Sequence, residues 1–373
     1  MSTILSQAQT LVMTLIHLMP SQYQQKSLQA LLGLFLAANG ISVPAHAKTV
    51  SPSAISRFLN QYHWSTRKVI RTVRSVIVDQ IIAANSMGRR PILQVILDLT
   101  TLEKVGKFKE LGKLIRVYNG KRGLHLLVLY ILIGHQRIPW GFRVYRGKGE
   151  TSPVELAQRL LKSLPTKLTD HFEIRVLADS AFGSIEMLKW IQKRPRTSGI
   201  FGIRCDRRLR DGRRVTQISK RGQQVCLHGL DQPVTLSWYW LKKEDGTREK
   251  RFVISTKPLS GVYITILGRR RWQIEGFFKV AKHRFCLHRF GQGTLKGVYR
   301  WLVLSLIAYF LAHLACLWSG CTLVPDWGEM SRVAMESLFP TLTVLLLVIE
   351  MKRLRFLAHS IGLDLSVTGW QYG

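Results

Sequence analysis

The sequence predicts an α/β protein, a mixed sheet with helices on its faces and helical regions at both ends. Three observations carry that prediction. Continuous apolar, β-type runs begin at Pro91 (PILQVIL) and return at Leu124 (LHLLVLYILI), as expected for strands buried on both faces. From Thr151 onward, helical patterns alternate with such runs, the order of an α/β sheet. Residues 1–88 and the stretch after 295 carry helical patterns.

The elements follow in order. Ser27 to Ala38 (SLQALLGLFLAA) reads as an apolar helix stopped by Asn39-Gly40. Ser51 suits an N-cap, with Pro52 at the first helical position, so SPSAISRFLN opens a short helix presenting Ser56, Arg57 and Asn60. That helix fits the second helix of a helix-turn-helix or one member of a plain bundle. A helix from Ser65 to Ala84 carries Arg67, Lys68, Arg71 and Arg74, either a phosphate-contacting or a solvated face. Strands are expected at Pro91–Leu97, Leu124–Ile133, Trp140–Tyr145, Phe172–Leu177 and Gly199–Arg204, with helices at Thr151–Leu164 and Ser184–Gln192. Three strands followed by alternating helix and strand is the order of a ribonuclease H-like domain. Residues 205–256 mix short β runs such as VTLSWYWL with basic turns and read as a β-rich insertion. Helices over Arg269–Arg284 and Lys296–Ser319 follow. The expected divisions are 1–88 (helical, DNA-binding), 89–204 with 257–294 (core), 205–256 (insertion) and 295–373 (C-terminal helices).

Charge narrows the function. The chain of 373 residues holds 55 Lys and Arg against 22 Asp and Glu, a formal net charge of +33. Such an excess opposes compaction unless a polyanion shares the surface, and nucleic acid is the usual one. An apolar content of 46% excludes a compositionally disordered chain. Five scattered cysteines without a CxxC pair argue against a disulfide framework or a zinc knuckle, and His283, Cys286 and His288 lack four-ligand spacing. Met1 to Pro20 holds no Lys or Arg, so a signal peptide is not expected. Trp301–Trp318 is apolar enough for a membrane span, but His313 interrupts it and Pro340–Ile349 is too short to pair with it. Buried helices are the preferred reading, and no membrane partner is expected.

Three acids stand out. Asp98 directly follows the first buried run, and Asp179 follows FEIRVL with only Ala178 between. Strand ends are where such sheets present functional side chains, and acids beside apolar β runs are costly unless paired or metal-bound. Glu275 lies among Arg269, Arg270, Arg271, Lys279 and Lys282. A lone Asp after a strand more often caps the next turn. Three carboxylates on three elements of a basic chain supply the hard oxygen ligands of a two-magnesium site that bridges phosphate oxygens.

Arg271-Trp272-Gln273-Ile274-Glu275, with Lys282 beyond, resembles the YREK signature of the insertion-sequence-four group of DDE transposases. In that signature a Tyr precedes the Arg by three, the Glu follows it by four, and the Lys follows the Glu by seven. Arg271, Glu275 and Lys282 match, while Gly268 stands at the Tyr position. The resemblance runs from Asp98-Leu99-Thr100 through Ala178-Asp179-Ser180-Ala181-Phe182-Gly183 to Lys282, and takes in SPSAISRFLN. It implies an RNase H-like core with a β-strand insertion between the second Asp and the Glu. It implies that Asp98, Asp179 and Glu275 ligate two Mg²⁺ ions, with Mn²⁺ able to substitute, for in-line attack on a phosphodiester. Arg271, Lys282, Lys279 and Arg57 suit DNA phosphate. Trp238, Tyr239, Trp240 and Trp272 are candidates to stack on a flipped base, as in relatives that cut through a hairpin. The alternative for Trp238 and Trp240 is one face of a sheet core. Gly268 removes a hydroxyl that those relatives use.

The expected function is cut-and-paste transposition: binding the terminal inverted repeats, metal-dependent cleavage, and transfer to target DNA. A homodimer on DNA and a cytoplasmic, nucleoid-associated, bacterial-type location follow from that reading. The competing readings are a catalytically silent DNA-binding protein derived from a transposase, a nuclease of the same fold, and a basic membrane protein.

Overall fold

The computed structural model describes residues 2–37, 41, 44–84, 90–104, 111–112, 114–243, 245–321 and 325–366. Helices α1 (Ser2–His17), α2 (Gln22–Ala37), α3 (Pro52–Asn60) and α4 (Thr66–Ala83) come first, then strands β1 (Ile92–Glu103), β2 (Arg116–Tyr118), β3 (Lys121–Ile133) and β4 (Gln136–Tyr145). Next are α5 (Pro153–Leu161), α6 (Thr166–His171), β5 (Glu173–Ala178), α7 (Ile185–Gln192) and β6 (Thr197–Ile203). After β7 (Gln223–Val225), β8 (Val234–Lys242) and β9 (Arg248–Ser255), helices α8 (Gly261–Arg270), α9 (Gln273–His283), α10 (Leu295–Trp318), α11 (Trp327–Leu338) and α12 (Pro340–Ser360) follow. The chain divides into two compact units: Met1–Val76 with Lys279–Gly373, and Ile77–Phe278.

The second unit is the mixed α/β core of RNase H-like type that the sequence predicts. Its strands form one sheet in the order β2-β3-β1-β5-β6-β9-β8-β7, with β4 also pairing β3. β1 lies at the middle, antiparallel to β3 and parallel to β5, and β5 is parallel to β6. The unbroken apolar sequence of β3 reflects burial on both faces, from Gly123 to Ile133. Helix α5 starts at a capping box: Glu155 N–H donates to the Ser152 hydroxyl, and Ser152 N–H donates to the Glu155 carboxylate.

Two expectations, the end of the first strand and the single helix over Arg269–Arg284, are corrected here. Asp98 does not follow β1 but sits inside it, because β3 is long enough to keep pairing β1 to Glu103, with Asp98 opposite Val128. The stretch 205–256 is β-rich, as the sequence predicts, and it joins the sheet. β9 pairs β6 antiparallel and β8 pairs β9, so its strands extend the core sheet. The helix expected over Arg269–Arg284 is two helices. α8 ends at Arg270, α9 starts at Gln273, and tight bonds from Trp272 N–H to Arg269 O and from Glu275 N–H to Trp272 O fill the joint.

In the first unit, α10 is the central helix and is buried nearly all round. The Trp301 ring meets Phe35 of α2 edge-on at 4.7 Å, and its Nε1 donates to Cys286 O at 3.0 Å. Tyr309 stacks on Trp327 at 4.7 Å. Leu295–Trp318 is long and apolar enough to cross a membrane, but 89% of its most apolar window is buried within the fold. Pro340–Ile349 grows into the longer α12, bent by 108° from α11. Ser51 caps α3 as expected, accepting from Ala54 N–H at 3.2 Å, with Pro52 in the first turn. The Asn39-Gly40 stop lies outside the described residues.

Candidate active site

β1 and β5 run parallel and pair up to Leu97 opposite Ala178. The next residue along each is an acid, Asp98 within β1 and Asp179 just past the end of β5, so the pairing brings the two carboxylates near enough to feel each other's charge. Asp98 Oδ1 accepts from Leu99 N–H at 2.8 Å, and Asp179 Oδ1 accepts from Ala181 N–H at 3.0 Å. Glu275 enters from the first turn of α9, its side chain 56% exposed. Arg271, in the joint between α8 and α9, binds two of the acids. Its Nη1 donates to Asp98 Oδ2 at 2.9 Å and its Nη2 to Glu275 Oε1 at 3.2 Å.

The electrostatics match that geometry. Burial pushes the Asp98 carboxyl up to about 6, against the pull of Arg271; the Asp179 and Glu275 charges add to the rise. Burial also raises Asp179, opposed by the Ala181 N–H and Arg271, and Glu275 raises it further. Asp98 feels the charges of Asp179 and Glu275, and Asp179 feels that of Glu275, the situation that an oxygen-seeking divalent cation relieves. The donor set, three carboxylates from two strands and a helix, fits Mg²⁺. Among the described residues, however, no three His, Cys, Asp or Glu side chains stand close enough to hold an ion as placed. As placed, Arg271 holds one oxygen of Asp98 and one of Glu275.

Two supports of the site escape sequence reading. A Cβ on Gly202 of β6 would stand 2.9 Å from Ser180 N and 3.2 Å from Asp179 C, so glycine lets the turn after Asp179 settle onto the neighbouring strand. Arg207 Nη2 donates to Gly183 O at 3.0 Å and holds the far end of that turn. The GIFGIR run and the Arg207-Arg208 pair were visible, but which backbone each meets depends on tertiary pairing.

The other candidates fall in different places. Lys279 and Lys282 lie one and two turns beyond Glu275 on α9. Trp272 and Trp240 are 42% and 51% exposed. Trp238 is 7% exposed, opposite Phe252, with Lys250 Nζ 4.1 Å from its ring centroid, so it packs in the sheet. Tyr239 is buried under the Arg269 guanidinium. Arg57 is exposed on α3, in the other unit. At Gly268 an added Cβ would stand 3.1 Å and 3.3 Å from the two Val253 methyls, so any larger side chain there needs Val253 to give by a few tenths of an ångström.

Residues 89–311 match the family described as Transposase DDE domain, over more than half of the chain. The chain belongs to that family. No curated protein matches it. Among solved structures, the DDE domain protein is similar to the piggyBac transposase in a cryo-EM structure of its synaptic complex with hairpin DNA. The match has a TM-score of 0.52 at 14% identity, covering 99% of this chain and 84% of that one. At that identity the likeness establishes the fold, which agrees with the sheet topology and the flanking helices.

Proposed function

We propose that this DDE domain protein is an active transposase of the insertion-sequence-four group, and that Asp98, Asp179 and Glu275 are its metal ligands. The observation that carries the reading is the register of β1 and β5, which sets Asp98 and Asp179 beside each other, with Glu275 coupled to both. Two Mg²⁺ ions, or Mn²⁺ in their place, would supply an activated oxygen nucleophile and charge neutralisation at the leaving oxygen. The chain supplies the rest. Asp98, ionised against Arg271 at neutral pH, would offer its carboxylate oxygens to the cation. Arg271, once detached from Asp98 and Glu275, has a planar fork suited to a DNA phosphate. Lys279 and Lys282 extend the same cationic helix face. Trp240 and Trp272 offer exposed rings for base stacking, whereas Trp238 is buried in the sheet.

The substrate is duplex DNA bearing the element's terminal inverted repeats, and the product is the element joined to target DNA. The piggyBac transposase structure is a synaptic complex with hairpin DNA, which supports a DNA partner; assembly of two copies on paired ends belongs to the same proposal. A cytoplasmic, nucleoid-associated location fits the net charge. The test is a strand-transfer assay with DNA flanking the gene, a target plasmid and Mg²⁺. Joined products support transposition. Cutting without joining makes the protein a nuclease of the same fold, and tight binding without cutting makes it a silent DNA-binding protein.

A further inference from the structure

Helix α10 ends in a backbone arrangement that sets two of the five cysteines against each other. Gly320 takes φ +68°, in the left-handed region that glycine favours, and its N–H donates to Leu317 O at 3.3 Å. The Cys321 N–H reaches back to Cys316 O at 3.0 Å. Those two bonds around a left-handed glycine make a Schellman cap, in which the residue past the glycine meets the one five positions earlier. That contact is ordinarily apolar. Here it has sulfur on both sides. The Cys316 thiol donates to Cys321 O at 3.7 Å and also hydrogen-bonds the Cys321 side chain. The short bond between the two backbones keeps their α-carbons within the roughly 7 Å that a disulfide spans. Both cysteines are reduced.

The two sulfurs differ in access. Cys316 is 5% exposed on the last turn of α10, whereas Cys321 lies past the helix end and is half-buried. Burial, and then the neighbouring Cys321 thiol, push the Cys316 thiol up to about 12. It therefore keeps its proton at neutral pH and does not open a reaction, because the thiolate is the nucleophile. An oxidant arriving from solvent meets Cys321 first. Packing alone calls for any small apolar side chain at either position. Two sulfurs in contact add a chemistry that alanine or valine lacks.

We propose that Cys316 and Cys321 form a reversible dithiol–disulfide site, oxidised by a low-molecular-weight disulfide, whose closed form staples the end of α10. The site stands apart from the transposase reading. The Cys321 thiolate attacks one sulfur of the oxidant RSSR, forming the mixed disulfide Cys321–S–SR and releasing RS⁻. Cys316 then gives its proton to solvent and attacks the Cys321 sulfur, forming the protein disulfide and releasing the second RS⁻. Two protein thiols are oxidised, and one oxidant disulfide is reduced to two thiolates. The experiment incubates the reduced full chain with oxidised glutathione at mildly alkaline pH, where more Cys316 is thiolate, and maps tryptic peptides without reductant. Residues 301–332 form one tryptic peptide that holds Cys316, Cys321 and no other cysteine. That peptide should lose the mass of two hydrogens and regain it in dithiothreitol. In the intact protein the closed link should slow amide exchange at Gly320 and Cys321. Cys321→Ser should stay unmodified at Cys316. Cys316→Ser should hold a lasting glutathione adduct at Cys321, since no resolving thiol is left. Wild type that keeps the adduct on Cys321, or whose peptide stays unmodified while the exposed Cys205 reacts, overturns the proposal. So does a link that speeds exchange at Gly320, because the cap would then have to break to form it. Should Cys316→Ser fail to fold, wild type and Cys321→Ser decide.

Discussion

Arg271 and Asp98 form an ion pair at 2.9 Å in which the side chains are only 16% and 14% exposed. Yet the Asp98 carboxyl stays raised to about 6, because burial outweighs the arginine. A carboxyl raised above its ordinary value binds its proton more tightly folded than unfolded. The stability this contributes is complete below about pH 4 and is lost as pH rises through about 6. Asp98→Asn mimics the neutral carboxyl. It should match wild type in urea unfolding near pH 4 and exceed it at pH 8 by up to about 3 kcal/mol. Equal stability at pH 8 would show that Arg271 already compensates the burial.

Gly268 tests how closely α8 lies on β9. Gly268→Tyr presses a Cβ onto the Val253 methyls and should cost roughly 1–3 kcal/mol, the usual scale of overpacking. Val253→Ala should restore part of that loss in the double variant, as seen by denaturant unfolding. A stable single Gly268→Tyr would mean that the two elements separate easily.

Gly202 tests the seat of Asp179. Gly202→Ala brings a Cβ against the backbone of Ser180 and Asp179, and backbone cannot step aside as a side chain can. The protein should stay folded, because β6 still pairs β5 and β9, while Mg²⁺-dependent cleavage falls at least tenfold from a misplacement of about 1 Å. Unchanged cleavage would show that the turn after Asp179 tolerates displacement.

How far the sequence carried the fold is clearest at these same residues. PILQVIL and FEIRVL announced buried strands, because strand pattern is a local property, whereas the adjacency of their trailing acids follows from the long-range pairing of β1 with β5. Arg271 and Glu275 were readable from spacing. The break between α8 and α9 was not, since Arg, Trp and Gln are all tolerated in helices and the tight joint is imposed by packing. The continuation of β1 past Asp98 depends on how far β3 reaches. Gly202 and Arg207 were visible as residues but not as devices. The need for a missing Cβ, or for a guanidinium on a distant carbonyl, exists only once distant segments meet.

The central claim is that Asp98, Asp179 and Glu275 act as one metal-binding group. It is tested most directly by Mg²⁺-dependent cleavage of duplex DNA carrying the sequence that flanks the gene, comparing wild type with Asp98→Asn, Asp179→Asn and Glu275→Gln. The account predicts that each substitution alone abolishes cleavage with DNA affinity retained, and that a double substitution adds nothing, because residues acting as a unit are not additive. Full cleavage by any one of the three single variants would contradict it.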